Sequence, residues 1–178
     1  MALTKIAEAS RTGVTSINFD TDIDSTYKVY KFVFLEINPA ASSSSVWFTF
    51  QGGAGSYATT MTTTFWKAEH YLTGGTGLGY DTAGDQAQGS AYQNLFQGIG
   101  DASTENMCGE LFLFNPSSTT YVKHFMSENI GIYGPYSSQG AVTTNVAGYF
   151  NVVTAITSIG FKMSDDSAFD GTIQMWGL

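Results

Sequence analysis

Alternating aspartates form the densest group of potential cation ligands in the chain. The segment FDTDIDS carries Asp20, Asp22 and Asp24, and a hard cation such as Ca²⁺ needs several oxygen ligands close together. The match to a calcium-binding loop then ends, because Ser25 stands where the loop needs glycine and Lys31 stands where it needs a bidentate carboxylate. The pattern favours solvated carboxylates and leaves open a cation bound near these aspartates.

The two histidines lack the pairing of a helical zinc site, since neither His70 nor His124 has a second histidine four residues away. In the segment Tyr121 to Met126, His124 is expected to share a strand face with Val122 and Met126, which favours a structural role. A Ser-His-Asp triad stays open on residue counts, although the chain has no G-x-S-x-G elbow.

The remaining polar motifs predict turns. Asp165 and Asp166 are adjacent in SDDSAFDG, which is typical of a turn between two strands. The glycine runs Gly52-Gly53 and Gly74 to Gly79 lack the spacing of a phosphate-binding loop and are also predicted to be turns. We therefore assign no catalytic, cofactor-binding or metal-binding residue, and we expect a protein that is not an enzyme. A hydrolase or lyase on the same scaffold stays open as a further alternative.

Aromatic side chains are the remaining resource for binding, because they stack on sugar rings and anchor protein interfaces. Trp47 and Trp66 lie in strand-like segments and are expected in the core. Tyr80, Tyr133 and Tyr136 lie in loop-like segments, where they are candidates for glycan binding and equally for a protein interface.

Composition limits the classes of partner. The 178 residues suit one domain, and only 12% of them are charged. The net charge of −8 argues against nucleic-acid binding, because such binding needs basic side chains to neutralise phosphates. The sequence has no apolar run long enough for a membrane span and no apolar core of a signal peptide at its start, so we expect no membrane association. Cys108 is the single cysteine, which excludes an intrachain disulfide and favours a small, partly buried residue.

Alternation of apolar and polar residues with period two predicts an all-β protein. We expect a single domain over residues 1–178, built as a two-sheet, jelly-roll-like β-sandwich of about nine strands, with a closed barrel as the structural alternative. The predicted strands are Gly13 to Phe19, Lys28 to Ile37, Val46 to Phe50, Tyr57 to Trp66, Glu110 to Phe114, Tyr121 to Met126, Gly148 to Val153, Ala155 to Phe161 and Thr172 to Trp176.

Some segments carry more specific expectations. Lys28 to Ile37 is apolar on both faces, which predicts a central strand, and it is expected to form a hairpin with Val46 to Phe50. Ser90 to Phe96 is expected to form a short helical turn within the glycine-rich region Thr73 to Gly109. Met1 to Arg11 is polar and suits an extended N-terminal arm. This arm and the segment Thr73 to Gly100 are candidate contact segments.

Three segments resemble a family of small virion proteins of tailed bacteriophages. YKFVFLEINPAASSSSVWFTFQ (30–51) is similar to the strand, I-x-P-A turn and strand near the N-terminus of that family. ELFLFNPSSTTYVKHF (110–125) resembles its paired strands joined by an N-P-S turn, and ITSIGFKMSDDSAFDGTIQMWGL (156–178) resembles its closing hairpin. The matching segments occur in the same order along the chain.

The resemblance implies a β-sandwich built for assembly in the virion, made in the cytoplasm of the bacterial host. It implies an outer capsid decoration (cement) protein that contacts the major capsid protein or another virion protein, and a homotrimer. The alternative is a tail or fibre module that recognises glycans on the host surface. The resemblance transfers no catalytic residue, because the shared positions are strand and turn residues.

Overall fold

The structure, a computed structural model, describes residues 3–41, 46–134 and 139–178, and these residues form β-strands and no helix. The expected all-β fold is confirmed, with thirteen strands in the described ranges in place of about nine. In chain order the strands are β1 (Thr4–Val14), β2 (Ser16–Phe19), β3 (Val29–Pro39), β4 (Trp47–Gly53), β5 (Met61–Tyr71), β6 (Thr76–Tyr80), β7 (Ala87–Gly89), β8 (Gln93–Gln97), β9 (Met107–Phe114), β10 (Lys123–Tyr133), β11 (Gly140–Phe150), β12 (Ser158–Met163) and β13 (Phe169–Gly177).

The strands form two antiparallel sheets, consistent with a sandwich. The large sheet has the order β1-β13-β3-β9-β10-β11-β5-β6, with β7 also paired to β5. The small sheet has the order β2-β12-β4-β8 and covers one face of the large sheet. This arrangement is compatible with a jelly roll. One face of the large sheet therefore remains outside the core.

Aromatic side chains fill the space between the sheets. Phe161 on β12 is fully buried, and its ring centroid lies 5.2 Å from that of Phe34 and 5.5 Å from that of Phe32 on β3. On β3, Tyr30, Phe32 and Phe34 alternate with half-buried residues, and the strand lies between β13 and β9. The central position predicted for this strand is confirmed.

Strand β4 is buried on both of its faces, since every residue from Trp47 to Gly53 is buried. The Gln51 amide nitrogen donates hydrogen bonds to the carbonyl oxygens of Ser90 (3.1 Å) and Ala91 (2.9 Å). These bonds hold the loop between β7 and β8 against the small sheet. A Cβ at position 52 would lie 2.7 Å from the Ile159 side chain. The turn predicted at Gly52-Gly53 is wrong, because close packing requires glycine here in a strand.

Two predicted hairpins do not form, because the chain crosses between the sheets at these points. Strands β3 and β4 lie in different sheets, and so do β12 and β13. The pairing of β9 with β10 is present, and Asn115 in the connecting N-P-S turn has a φ of 46°. Asp165 and Asp166 lie in the connection between β12 and β13, and Asp166 has a φ of 60°.

Two further segments form strands. Ser90 to Phe96 was expected to contain a helical turn, but Gln93–Gln97 forms β8, because its backbone pairs with β4. Residues 4–11, expected to belong to an extended arm, form most of β1, which pairs with β13 along the edge of the large sheet. The glycine-rich region after Thr73 contains β6, β7, β8 and the start of β9.

Within the described ranges, no helix has the length and apolar character needed to cross a bilayer.

Candidate functional site

The candidate site is the outer face of the large sheet, meaning the face that points away from the small sheet. Strand β10 illustrates how the sequence builds it, because residues alternate between the two faces of a strand. The odd-numbered residues Phe125, Ser127 and Asn129 are buried. The even-numbered residues Met126 and Ile130 on the same strand are exposed. The neighbouring strands β3, β9, β11 and β5 contribute their own outward residues to the same surface.

Apolar side chains on this outer face are neighbours across several strands. Ile130 on β10 lies opposite Cys108 on β9 and Thr143 on β11, and Thr143 lies opposite Ala68 on β5. A groove of about 410 Å³ at this end of the sheet is lined by Leu72, Asn106, Cys108, Ile130, Gly131, Ile132, Gln139, Gly140 and Ala141. Contiguous apolar exposure of this kind is typical of an interaction surface.

A second apolar group lies nearer the other end of the sheet. The rings of Phe112 and Phe114 on β9 are nearly parallel, with centroids 6.3 Å apart. Met126 on β10 is exposed and lies opposite Phe112. The outer face therefore carries apolar groups towards both ends of β10.

Charged residues separate the two apolar groups. Glu110 and Glu128 lie opposite each other on β9 and β10. The Lys31 ammonium is 2.5 Å from a Glu110 carboxylate oxygen and 5.1 Å from the centroid of the Phe112 ring. Lys31 therefore offsets the charge of one carboxylate, and the centre of the face keeps an acidic character.

An aromatic pair lies on β5 and β6, in the same cross-strand row as Glu110 and Glu128. Trp66 and Tyr80 are cross-strand neighbours, with exposed fractions of 43% and 55%, and Asn145 lies opposite Trp66 on β11. The Tyr80 hydroxyl donates a hydrogen bond to the Asp85 carboxylate, and this bond raises the pKa of Tyr80. Exposed aromatic rings beside an amide can stack on an apolar sugar face and bond to its hydroxyls.

The three alternating aspartates form hydrogen bonds with different partners. Asp20 accepts a hydrogen bond from the Tyr57 hydroxyl, and Asp22 accepts one from the Thr21 hydroxyl (2.8 Å). Asp24 accepts a hydrogen bond from the Thr26 backbone N–H at 2.7 Å, which lowers the pKa of its carboxyl. In the described ranges no group of three or more His, Cys, Asp or Glu side chains is arranged to hold a metal ion.

Both histidines are solvent-exposed. His124 shares the outer face with Met126, as the strand pattern predicted, and its ring centroid is 6.0 Å from that of Tyr149. His70 lies near the end of β5. Cys108 is half-buried on β9, where its Sγ accepts a hydrogen bond from the Glu36 backbone N–H at 3.5 Å.

The predicted aromatic candidates separate into buried and exposed residues. Trp47 is buried, with its ring centroid 5.4 Å from that of Phe65, as expected for the core. The core position expected for Trp66 is wrong, because its side chain points to the outer face. Tyr133 is half-buried against Tyr71. Tyr136 lies outside the described residues.

The outer face had a signal in the sequence that admits two interpretations. Val33 and Leu35 on β3, and Phe112 and Phe114 on β9, make these strands apolar on both faces. Such a pattern is typical of a strand covered on both sides, whereas here the second apolar face meets solvent. Periodicity alone does not tell a covered face from an exposed one.

Comparison of the chain with models of known protein families gives no match, and a search of curated protein sequences finds no similar protein.

Proposed function

We propose that this chain is a bacteriophage virion structural protein, an outer capsid decoration protein that stabilises contacts between major capsid subunits. The resemblance of residues 30–51, 110–125 and 156–178 to small virion proteins supports the class. The exposed apolar outer face of the large sheet supports a role in assembly and is the observation that carries the proposal.

The physical argument rests on how the apolar residues are grouped. Single exposed apolar side chains are common, but neighbouring ones on several strands form a patch whose burial against a partner is favourable. Ile130 in one apolar group and Met126 in the other are both exposed and would act as anchors in shallow apolar pockets of the capsid. Many copies bound to one particle would add buried interface across subunit junctions and oppose internal pressure. In this proposal the protein is not an enzyme.

Copy number in the particle tests the proposal directly. Quantitative mass spectrometry of purified phage particles would compare this chain with the major capsid protein. Hundreds of copies per particle are expected for a capsid decoration protein. Absence of the chain from the particles would overturn the virion assignment, and a few to a few tens of copies would place it on the tail or fibres.

A matched pair of variants tests the outer face. Ile130→Lys places a charge on the outer face, whereas Val153→Lys places the same charge in the loop after β11. The two wild-type side chains are similarly exposed, at 55% and 52%. We expect Ile130→Lys to lose binding to capsids that lack the protein and Val153→Lys to retain it. Equal binding by both variants would contradict docking through this face.

The resemblance also implies a homotrimer, which forms part of the proposal. Native mass spectrometry of the full chain tests it, with three times the monomer mass, or a multiple of that trimer mass, expected. A purely monomeric chain at micromolar concentration would count against self-assembly in solution.

A second candidate function is recognition of a host-surface glycan by a tail or fibre module. The exposed Trp66–Tyr80 pair with Asn145 beside it favours this candidate. A glycan array would show binding that is lost on Trp66→Ala or Tyr80→Ala and retained on Tyr121→Ala, which removes an exposed tyrosine elsewhere. An array without hits would exclude the tested glycans as ligands and weaken this candidate.

A further inference from the structure

Strand β6 is an edge of the large sheet that lacks the usual protection against pairing with another strand. It ends the strand order, so no strand of the described residues lies beyond Thr76–Tyr80. Its sequence, TGLGY, has no charge and no proline, and all its residues except Gly77 are exposed. Exposed edges usually carry charged side chains, proline or bulges that prevent association.

The opposite edge of the same sheet shows such protection. Strand β1 carries Lys5, Glu8 and Arg11, and its pairing with β13 is interrupted by register shifts between Lys5 and Ala7 and between Arg11 and Val14. Bulges and charges of this kind disfavour pairing with a further strand. The two edges of one sheet therefore differ, and β6 is the edge suited to association.

Hydrogen bonding to β5 determines which backbone groups of β6 face outward. Two bonds flank the pairing, from the Tyr71 N–H to the Gly75 carbonyl oxygen (2.8 Å) and from the Asp81 N–H to the Phe65 carbonyl oxygen (3.0 Å). Because bonded and non-bonded positions alternate in an antiparallel pair, the odd-numbered residues of β6 face β5. The N–H and C=O groups of Thr76, Leu78 and Tyr80 therefore point to the free edge.

We propose that β6 pairs antiparallel with β6 of a second copy of this chain, about a twofold axis at Leu78. In this register Leu78 lies opposite the partner copy's Leu78, and Thr76 lies opposite the partner copy's Tyr80. Each outward N–H and C=O of the three residues then meets an outward group of the other copy, as an antiparallel ladder requires. The two large sheets join into one continuous sheet.

The side chains are compatible with the same register. Thr76, Leu78 and Tyr80 project to the outer face, where the two leucines meet at the axis between Thr–Tyr pairs. Gly77 and Gly79 face the other side and have no side chain that could obstruct the approach of the partner copy. The uncharged strand brings no like charges together at the axis, although the chain has a net charge of −8. These features favour a second copy as the partner.

This inference does not depend on the proposed function, because it concerns association of the isolated chain. The contact has twofold symmetry, whereas a trimer needs a threefold contact elsewhere on the surface. The two can coexist if β6 links one trimer to another. Edge pairing therefore predicts dimers or hexamers, and it excludes trimers as the largest species.

Mass measurements on matched variants test the pairing. Sedimentation equilibrium of the full chain from micromolar to submillimolar concentration would be compared for wild type, Leu78→Lys and Leu72→Lys. Both leucines are highly exposed, at 79% and 81%, so neither change should impair folding. We expect wild type and Leu72→Lys to form even-numbered assemblies. Facing lysines at the axis should raise the dissociation constant of Leu78→Lys by about tenfold or more.

Hydrogen exchange locates the contact independently. Amides of Thr76, Leu78 and Tyr80 should gain protection as the concentration of wild type rises, and they should not gain it in Leu78→Lys. A wild type that stays monomeric, a trimer without larger species, or an assembly insensitive to Leu78→Lys would overturn the proposal. If Leu72→Lys loses the assembly, the contact between copies lies in the apolar groove of the outer face and not at β6. Capsid binding impaired by Leu78→Lys in an otherwise monomeric chain would assign the edge to another virion protein.

Discussion

The Lys123 ammonium donates a hydrogen bond of 3.0 Å to the carbonyl oxygen of Val152, and the Lys123 side chain is fully buried. The bond joins the start of β10 to the chain that follows β11. Burial penalises the charged form of the amine and lowers the pKa of Lys123 from its usual 10.5. A cation on the core side of a sheet is therefore held by a backbone carbonyl.

Replacement of Lys123 by methionine should change how stability depends on pH. The folded state disfavours the ammonium, so the cost is full below the lowered pKa and disappears as the pH rises towards 10.5. The free energy of unfolding of wild type should therefore rise relative to that of Lys123→Met over this window. Urea unfolding of both proteins at a series of pH values measures the difference. A difference independent of pH would contradict the lowered pKa.

Replacement of Phe161 by alanine should strongly destabilise the fold. Phe161 packs against phenylalanines from both sheets, with its ring nearly parallel to that of Phe48 at 6.0 Å. Loss of a fully buried phenylalanine costs about 3–5 kcal/mol. The control is Phe114→Ala on the outer face, which should cost about 1 kcal/mol or less. Urea midpoints followed by tryptophan fluorescence measure both, and similar losses would contradict the assignment of Phe114 to the exposed face.

Tyr71 should contribute to loss of stability in alkali. Burial, and to a smaller extent the hydrogen bond to Glu69, raises the pKa of Tyr71 from 10.0 to about 12. The folded state then favours the neutral phenol, so this contribution is complete below pH 10 and is lost as the pH rises towards 12. Between these values the free energy of unfolding should fall more for wild type than for Tyr71→Phe. Parallel pH profiles of the two proteins would contradict the shift.

The hydroxyl of Thr144 should stabilise the contact between the sheets. Its Oγ1 donates a hydrogen bond of 2.6 Å to the Leu95 carbonyl oxygen on β8 and accepts one of 3.2 Å from the Asn129 amide. Thr144→Val keeps the shape and leaves the buried Leu95 carbonyl without this donor, which should cost about 1–3 kcal/mol. Thr64→Val, at an exposed site, should change stability by about 0.5 kcal/mol or less. Thermal unfolding compares them, and equal effects would exclude a special role for Thr144.

The all-β class and several of the strands can be predicted from the sequence, because the alternation of apolar and polar residues is a local signal. Residues 28–37 predict β3, and its central place in the sheet follows from apolar residues on both faces. Glycine-rich β6 was missed, because Gly77 and Gly79 conceal the alternation of Thr76, Leu78 and Tyr80. The sequence also did not show that β4 lies in a different sheet from β3, or β13 in a different sheet from β12. A local pattern does not distinguish a hairpin turn from a crossing between sheets.

The candidate site was harder to predict for a related reason. Trp66 has the same strand-like context as Trp47, yet one is exposed and the other is in the core. Which face is covered depends on where the small sheet lies, and that is determined by pairing of β12 with β2 and β4 across more than a hundred residues of sequence. Composition supplies the aromatic residues, whereas long-range pairing decides which of them solvent can reach.

Pairing of β1 with β13 and of β2 with β12 also constrains how the protein acquires its structure. The first two strands find their neighbours only after β12 and β13 have been synthesised, so both sheets close late in folding. Until then, β3 and β4 lack one flanking strand each, and their apolar residues remain open to other contacts. A chain shortened before β12 would therefore be prone to aggregation, and slow, concentration-sensitive refolding is the expected kinetic signature of this topology.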